Sequence, residues 1–275
     1  MQSNIKSYLS MKVSFFIVLC LCFFNLHSET RLETISSYGN LYKSTSYIAY
    51  PKCIEDIQLI VKKAYLNNQK ITIIGGGMSQ GKQSLLDTST LIDMRNINGI
   101  ALNGKTLTVG AGAFWSDIQT FINSHGLAVQ TMQGSNIFTV GGSISVNCHG
   151  WDFRKGTIAN TIKELTIINP KGELVLLSPT HPLFHYVIGG YGCFGIIVEA
   201  KILLTDNCAI TEISKELPLD KYIDYFHTEV ENTPNILMHR YRLSVHSKDF
   251  FQSGIATNYI KSGSANVISN LPATH

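Results

Sequence analysis

Charge is scarce in this 275-residue chain: 15% of its residues are Asp, Glu, Lys or Arg, the formal net charge is +3, and no basic block occurs. A nucleic-acid surface needs clustered Lys and Arg, so that class is not favoured. There is no C-x-x-C pair and no Cys/His ligand spacing, which argues against zinc and leaves no metal site to propose. Internal repeats and low-complexity linkers are missing too. The apolar run Val13–Phe24 falls short of the ~20 residues that span a bilayer comfortably. What is present is a 44% hydrophobic composition, enough to exclude the disordered class and to build one or two domains around a core.

Lys12 and the run Val13–Phe24 match a signal-peptide core in length, and a start at Met11 would give the usual short basic opening. Ser28 suits a cleavage site and Leu26 suits it less well. Residues 1–30 are therefore expected to be a signal peptide or N-terminal anchor. The chain would then be exported (periplasmic or secreted) or associated with a membrane. The alternative is a buried N-terminal helix in a cytoplasmic protein. Cys20 and Cys22 fall in that segment. Cys53, Cys148, Cys193 and Cys208 come after it and could pair only if exported; buried free thiols are the expectation for each.

The stretch Ile71–Ser84, ITIIGGGMSQGKQS, organises the rest of the chain. Ile71–Ile74 reads as a short buried strand, and Gly75, Gly76 and Gly77 permit close backbone approach and an N–H nest for a phosphate. A dinucleotide fingerprint needs glycine where Gln80 stands. A Walker loop fits Gly76, Gly81 and Lys82 but meets Gln83 at the Mg²⁺-binding hydroxyl position. Only Gln83–Ser89 separates the loop from the apolar run Leu91–Met94, too little for a crossover helix. The loop is expected to join two strands directly.

Pro51–Asn67 reads as an amphipathic helix, Thr106–Val109 as a strand, and Trp115–His125 as a second helix ended by Gly126. Thr131–Asp152 is rich in small residues, which on a turn and helix start let backbone touch a ligand. Lys163–Ile168 and Glu173–Leu177 form a hairpin, and His181–Ile188 is a short helix. Gly189–Ile202 is a set of glycine turns running into a strand. Beyond Asp206 a helix (Leu217–Val230) and two strands (Ile236–Val245, Gly254–Ile260) are expected. The class is α+β.

Three ordered clusters, GGGMSQG, TVGGSISVNCHG and GGYGCFGII, resemble the ligand-contacting stretches of the vanillyl-alcohol oxidase family of flavoproteins, and TLIDMRNI resembles the strand that follows the first of them. The second cluster and GTIANTIKELTIINPKGELVLLSP are similar to sugar-lactone oxidases and decaprenylphosphoryl-ribose oxidases. The likeness runs from about Tyr47 to Asp206. It implies a two-subdomain PCMH-type FAD-binding domain over residues 45–206. The start of a substrate (cap) domain over 207–275 would come next, incomplete at one helix and two strands, poorly soluble and without turnover alone. The implied activity is FAD-dependent oxidation of an alcohol carbon of a sugar or sugar-like small molecule. The electron acceptor and the catalytic residues are unknown. A non-catalytic flavin-binding remnant and a P-loop nucleotide-binding protein are the rival readings.

Candidate cofactor residues are Gly75, Gly76, Gly77, Ser79 and Gln80 at the phosphates, with Gly134, Thr139, Gly141, Gly142, Ser145 and Gly150 on the other side. Ile197 would meet adenine through its backbone. Three or four charge-assisted backbone bonds could supply roughly 5–10 kcal/mol, against ~0–1 for an exposed Lys82 ion pair. Asn147 is a candidate flavin-edge contact. His149 either bonds the flavin or is a satisfied core histidine, and Cys148 is a buried small residue. Met78 stands where covalently flavinylated relatives carry histidine, so FAD is expected to be non-covalent, with Met78 against its dimethylbenzene edge.

Overall fold

The computed structural model describes residues 30–264. The segment read as a signal or anchor lies outside them. Among the described residues, no helix is long and apolar enough to cross a membrane.

Strands β1 (Thr30–Ser36) and β2 (Lys43–Ala49) form an antiparallel pair. Helix α1 (Ile54–Leu66) comes next, burying Ile57, Val61 and Ala64 on one face, with Glu55 and Asp56 in its first turn and Lys63 in its last. It begins after Pro51 because Cys53 is extended and the Asp56 carboxylate accepts from the Lys52 N–H at 2.8 Å. Strands β3 (Ile71–Ile74) and β4 (Thr90–Asp93) complete a sheet of order β1-β2-β4-β3, in which β4 runs parallel to both neighbours. No helix lies between β3 and β4, as the short spacing requires. Strand β3 is half-buried, not buried, because Ile71, Thr72 and Ile73 line a cleft. Asp93 accepts from the backbone and guanidinium of Arg95, which fixes the turn after β4.

The second sheet holds β5 (Ile100–Asn103), β6 (Thr106–Gly110), β7 (Leu127–Val129), β8 (Ile162–Ile168), β9 (Leu174–Leu177) and β10 (Ile196–Asp206). Its order is β5-β6-β10-β8-β9, with β7 pairing the end of β10, and every pairing is antiparallel. Helices α2 (Trp115–Asn123), α3 (Val140–Ser145) and α4 (Phe184–Val187) belong to this half. One apolar core joins α1, α2, α3 and the second sheet through Ile57, Val61, Trp115, Ile118, Ile144, Leu165 and Val198.

The last part contains three strands, not two: β11 (Cys208–Pro218), β12 (Ile236–Leu243) and β13 (Ser253–Ser264), in order β11-β13-β12. The unexpected β11 is an edge strand exposed along most of its length, so no alternation of apolar residues marks it. Helix α5 (Leu219–Tyr225), continued by a π turn over Phe226–Val230, covers this sheet over a separate core of Leu217, Tyr225, Val230, Ile236 and Ala256. Arg154 fastens it to the preceding half of the chain. Its guanidinium donates to the carbonyls of Ile236 (2.6 Å), Glu231 (3.1 Å) and Thr233 (3.1 Å). The His239 N–H also donates to the Trp151 carbonyl at 2.9 Å.

Candidate cofactor cleft

A cleft of about 500 Å³ lies where the three glycine clusters meet. That volume suits a small-molecule site. Its first wall is Ile71, Thr72, Ile73 and the loop Gly75, Gly76, Gly77, Met78 and Ser79, with Gln83 and Ser84 beyond. The second wall is Gln133, Phe138, Thr139, Gly141, Gly142, Ser145 and Val146. Tyr191, Gly192, Cys193, Gly195 and Ile197 form the third, and Met94 and Ala111 complete the lining.

The loop is drawn against the second wall. A Cβ on Gly75 would stand 2.2 Å from Thr139 Oγ1, and one on Gly76 would stand 3.0 Å from the Ile137 carbonyl oxygen. Gly77 takes φ +72°, which turns successive amides to one side. Among the described residues, the N–H groups of Gly76, Gly77, Met78 and Ser79 meet no backbone acceptor. Thr139 is buried, and its Oγ1 likewise has no partner. A row of unmet amides facing a buried, unmet hydroxyl fits a group rich in acceptor oxygens, as a pyrophosphate is. Gly141 has another role. Its N–H is committed to the Ala111 carbonyl at 2.8 Å, and a Cβ there would meet the Ala111 Cβ at 2.9 Å. It lets α3 close onto β6.

Behind the second wall lies a buried polar chain. Trp115 Nε1–H donates to Ser143 Oγ at 2.8 Å, and Ser143 Oγ donates to Gln133 Oε1 at 2.7 Å. Cys148 is buried beside Ser143, and burial pushes its thiol up to about 11, so it stays protonated and unreactive at neutral pH. The four cysteines among the described residues are free; Cys148 is buried, Cys208 half-buried, and Cys53 and Cys193 exposed, so burial holds fully for only one of them.

Several residues expected at the cofactor stand outside the cleft lining. Gln80 is exposed past the loop. Gly134 is the seat of the Trp151 indole, whose Cζ2 a Cβ would meet at 2.6 Å, and Gly150 packs on the Met132 carbonyl. Asn147, at φ +48°, accepts from the Ala159 N–H at 3.4 Å. His149 is exposed, with Nδ1 3.1 Å from the Gly150 carbonyl, so it is not a core histidine. None of Asn147, His149 and Gly150 is in the cleft lining, although Val146 just after α3 is. Lys82 points outward, over the Tyr42 ring at 5.3 Å, and no helix comes after it, unlike a Walker lysine. Gln133, Phe138, Met94, Ala111 and Tyr191 line the cleft in addition to the residues expected there from sequence. Phe138 and Gln133 flank named motif residues and Met94 lies within TLIDMRNI, but nothing local marks Ala111.

Residues 45–178 match the family model described as an FAD binding domain. Among curated proteins, the chain is 25% identical over 208 residues to D-arabinono-1,4-lactone oxidase of Eremothecium gossypii, covering 72% of this chain and 39% of that one. It is 29% identical over 196 residues to cytokinin dehydrogenase 5 of Arabidopsis thaliana, covering 66% and 36%. To L-gulonolactone oxidase of Bos taurus it is 22% identical over 188 residues, covering 66% and 42%. The match thus spans less than half the length of each relative. The cleft's unmet donors and these matches agree on one cofactor, FAD, and residues 45–178 are similar to the FAD binding domain family.

Proposed function

We propose that this protein is an FAD-dependent oxidoreductase that takes hydride from an alcohol carbon of a sugar or sugar-like small molecule. The observation that carries the flavin part is the cleft itself, where unmet amides of Gly76–Ser79 face the unmet Thr139 hydroxyl. The substrate class is favoured by the lactone oxidases among the relatives. Bound FAD supplies a two-electron acceptor. The loop amides would hold its pyrophosphate, and Thr139 would donate a further hydrogen bond. Phe138, Met94 and Ala111 would exclude water. Met78 in the loop offers an apolar thioether with no nitrogen for a covalent link, so the cofactor is held by contacts alone. Residues 207–264, with their own small core, are read as part of a substrate-binding unit, and Lys12–Phe24 as an export or anchoring signal.

The test is to purify the protein with FAD, record its visible spectrum, and offer sugar lactones, aldoses and polyols anaerobically. Bleaching of the flavin by one of these, with turnover through an artificial electron acceptor, supports the reading. A yellow protein that none of them bleaches would be a flavin-binding remnant. A colourless protein that binds ATP would restore the P-loop reading.

A further inference from the structure

We propose that Gln133, which lies outside the glycine motifs, is a cofactor-binding residue that turns its side-chain NH₂ toward an acceptor oxygen of FAD. The inference rests on the flavin reading of the cleft. The acceptor is either a flavin ring carbonyl or a pyrophosphate oxygen.

Hydrogen accounting around Ser143 fixes which end of the amide faces the cleft. The Trp115 indole N–H can only donate, so Ser143 Oγ accepts from it at 2.8 Å. One hydroxyl hydrogen remains, with Gln133 Oε1 at 2.7 Å and the Thr139 carbonyl at 2.9 Å as its oxygen acceptors; the Cys148 thiol also meets Ser143 but, being protonated, is a weak acceptor. That carbonyl already receives the Ser143 N–H at 2.9 Å. A 2.7 Å separation is usual for O–H···O and short for N–H···O. The hydroxyl therefore goes to Gln133 and holds its amide oxygen inward. Trp115 and Ser143 are both fully buried, so water does not compete for this chain.

The Nε2 of Gln133 is what remains. Gln133 lines the cleft, and among the described residues only its Oε1 has a side-chain partner. Thr139, on the same wall and joined to the same Ser143 hydroxyl, independently carries a buried Oγ1 with no partner. A buried hydroxyl without a partner and a free amide NH₂ on one wall favour a ligand that presents oxygen there. A ligand presenting only N–H groups or carbon would leave the Gln133 donor unmet.

The test measures FAD affinity of the wild type, Gln133→Glu and Gln133→Leu by flavin fluorescence quenching, with thermal unfolding of each FAD-free protein alongside. Gln133→Glu keeps an oxygen for Ser143 but sets a carboxylate oxygen against the acceptor. It is expected to weaken FAD about tenfold or more, and Gln133→Leu about three- to tenfold, with FAD-free melting unchanged in Gln133→Glu. A shifted visible spectrum of bound flavin in Gln133→Leu would identify a ring carbonyl. An unshifted spectrum, with competition by ADP weakened by the same factor as FAD, would identify the pyrophosphate. FAD binding to Gln133→Glu as tight as to wild type overturns the assignment, as does an affinity loss that merely tracks lowered melting. If wild type binds no FAD, the flavin reading falls first and this assignment falls with it.

Discussion

Gly75→Ala isolates the contact on which the cleft depends. The backbone of Gly75 is not in the left-handed region, so alanine brings no φ strain. What it brings is a methyl group 2.2 Å from Thr139 Oγ1 and 3.3 Å from Thr139 Cβ. Thr139 is buried at the start of α3, so the hydroxyl cannot swing into solvent. Overpacking of this kind costs about 1–3 kcal/mol. For a domain of this size that lowers Tm by roughly 2–4 °C per kcal/mol. FAD affinity should fall as well, because the loop must lift from the wall. Thr139→Ala removes the clashing atom. In the double variant Gly75→Ala/Thr139→Ala, the clash and its relief should couple by about 1 kcal/mol or more. The assays are urea unfolding and FAD titration of the wild type, both single variants and the double. Strictly additive losses would refute the argument, since they would mean that Gly75 and Thr139 do not share that space.

Non-covalent FAD predicts that acid precipitation of the yellow protein leaves its colour in the supernatant; colour in the washed pellet would sink the reading of Met78. In the third sheet, His239 is buried and neutral, with Nδ1–H donating to Asn258 Oδ1 at 2.6 Å and Nε2 accepting from the Tyr222 hydroxyl at 3.3 Å. Burial holds its pKa below the ordinary 6.5, against the smaller opposing effect of Asn258. The unfolded chain binds the proton first as pH falls, so this contribution is whole above about 6.5 and is lost as pH drops through the lower folded value. The urea midpoint should fall between pH 7.5 and 5.5, and less so in His239→Gln; equal falls in both would exclude His239 as the cause. A reporter fused after Arg31 should leave the cytoplasm, and deleting Val13–Phe24 should retain it; retention in both cases would remove the export reading.

The sequence alone determined the parts whose signal is local. Three glycine clusters in order, a loop too short to hold a crossover helix, and the spacing of Ile57, Val61 and Ala64 are all visible in a few neighbouring residues. So was the hairpin of β8 and β9, through Asn169–Gly172. Tertiary structure decided what depends on residues distant in the chain. Strand β3 reads as buried because Ile71–Ile74 is apolar, yet it is half-buried because one face lines the cleft. Gly75 needs its missing side chain because of Thr139, and Gly134 because of Trp151; no local pattern names either partner. Asn147, His149 and Gly150 belong to the motif by sequence but do not line the cleft, whereas Gln133, outside the motif, does. Strand β11 carries no alternation, because an edge strand exposed along its length has no buried face to encode. Periodicity records which face of one element meets a core, whereas a cleft is made by several elements meeting, and that meeting exists only in three dimensions.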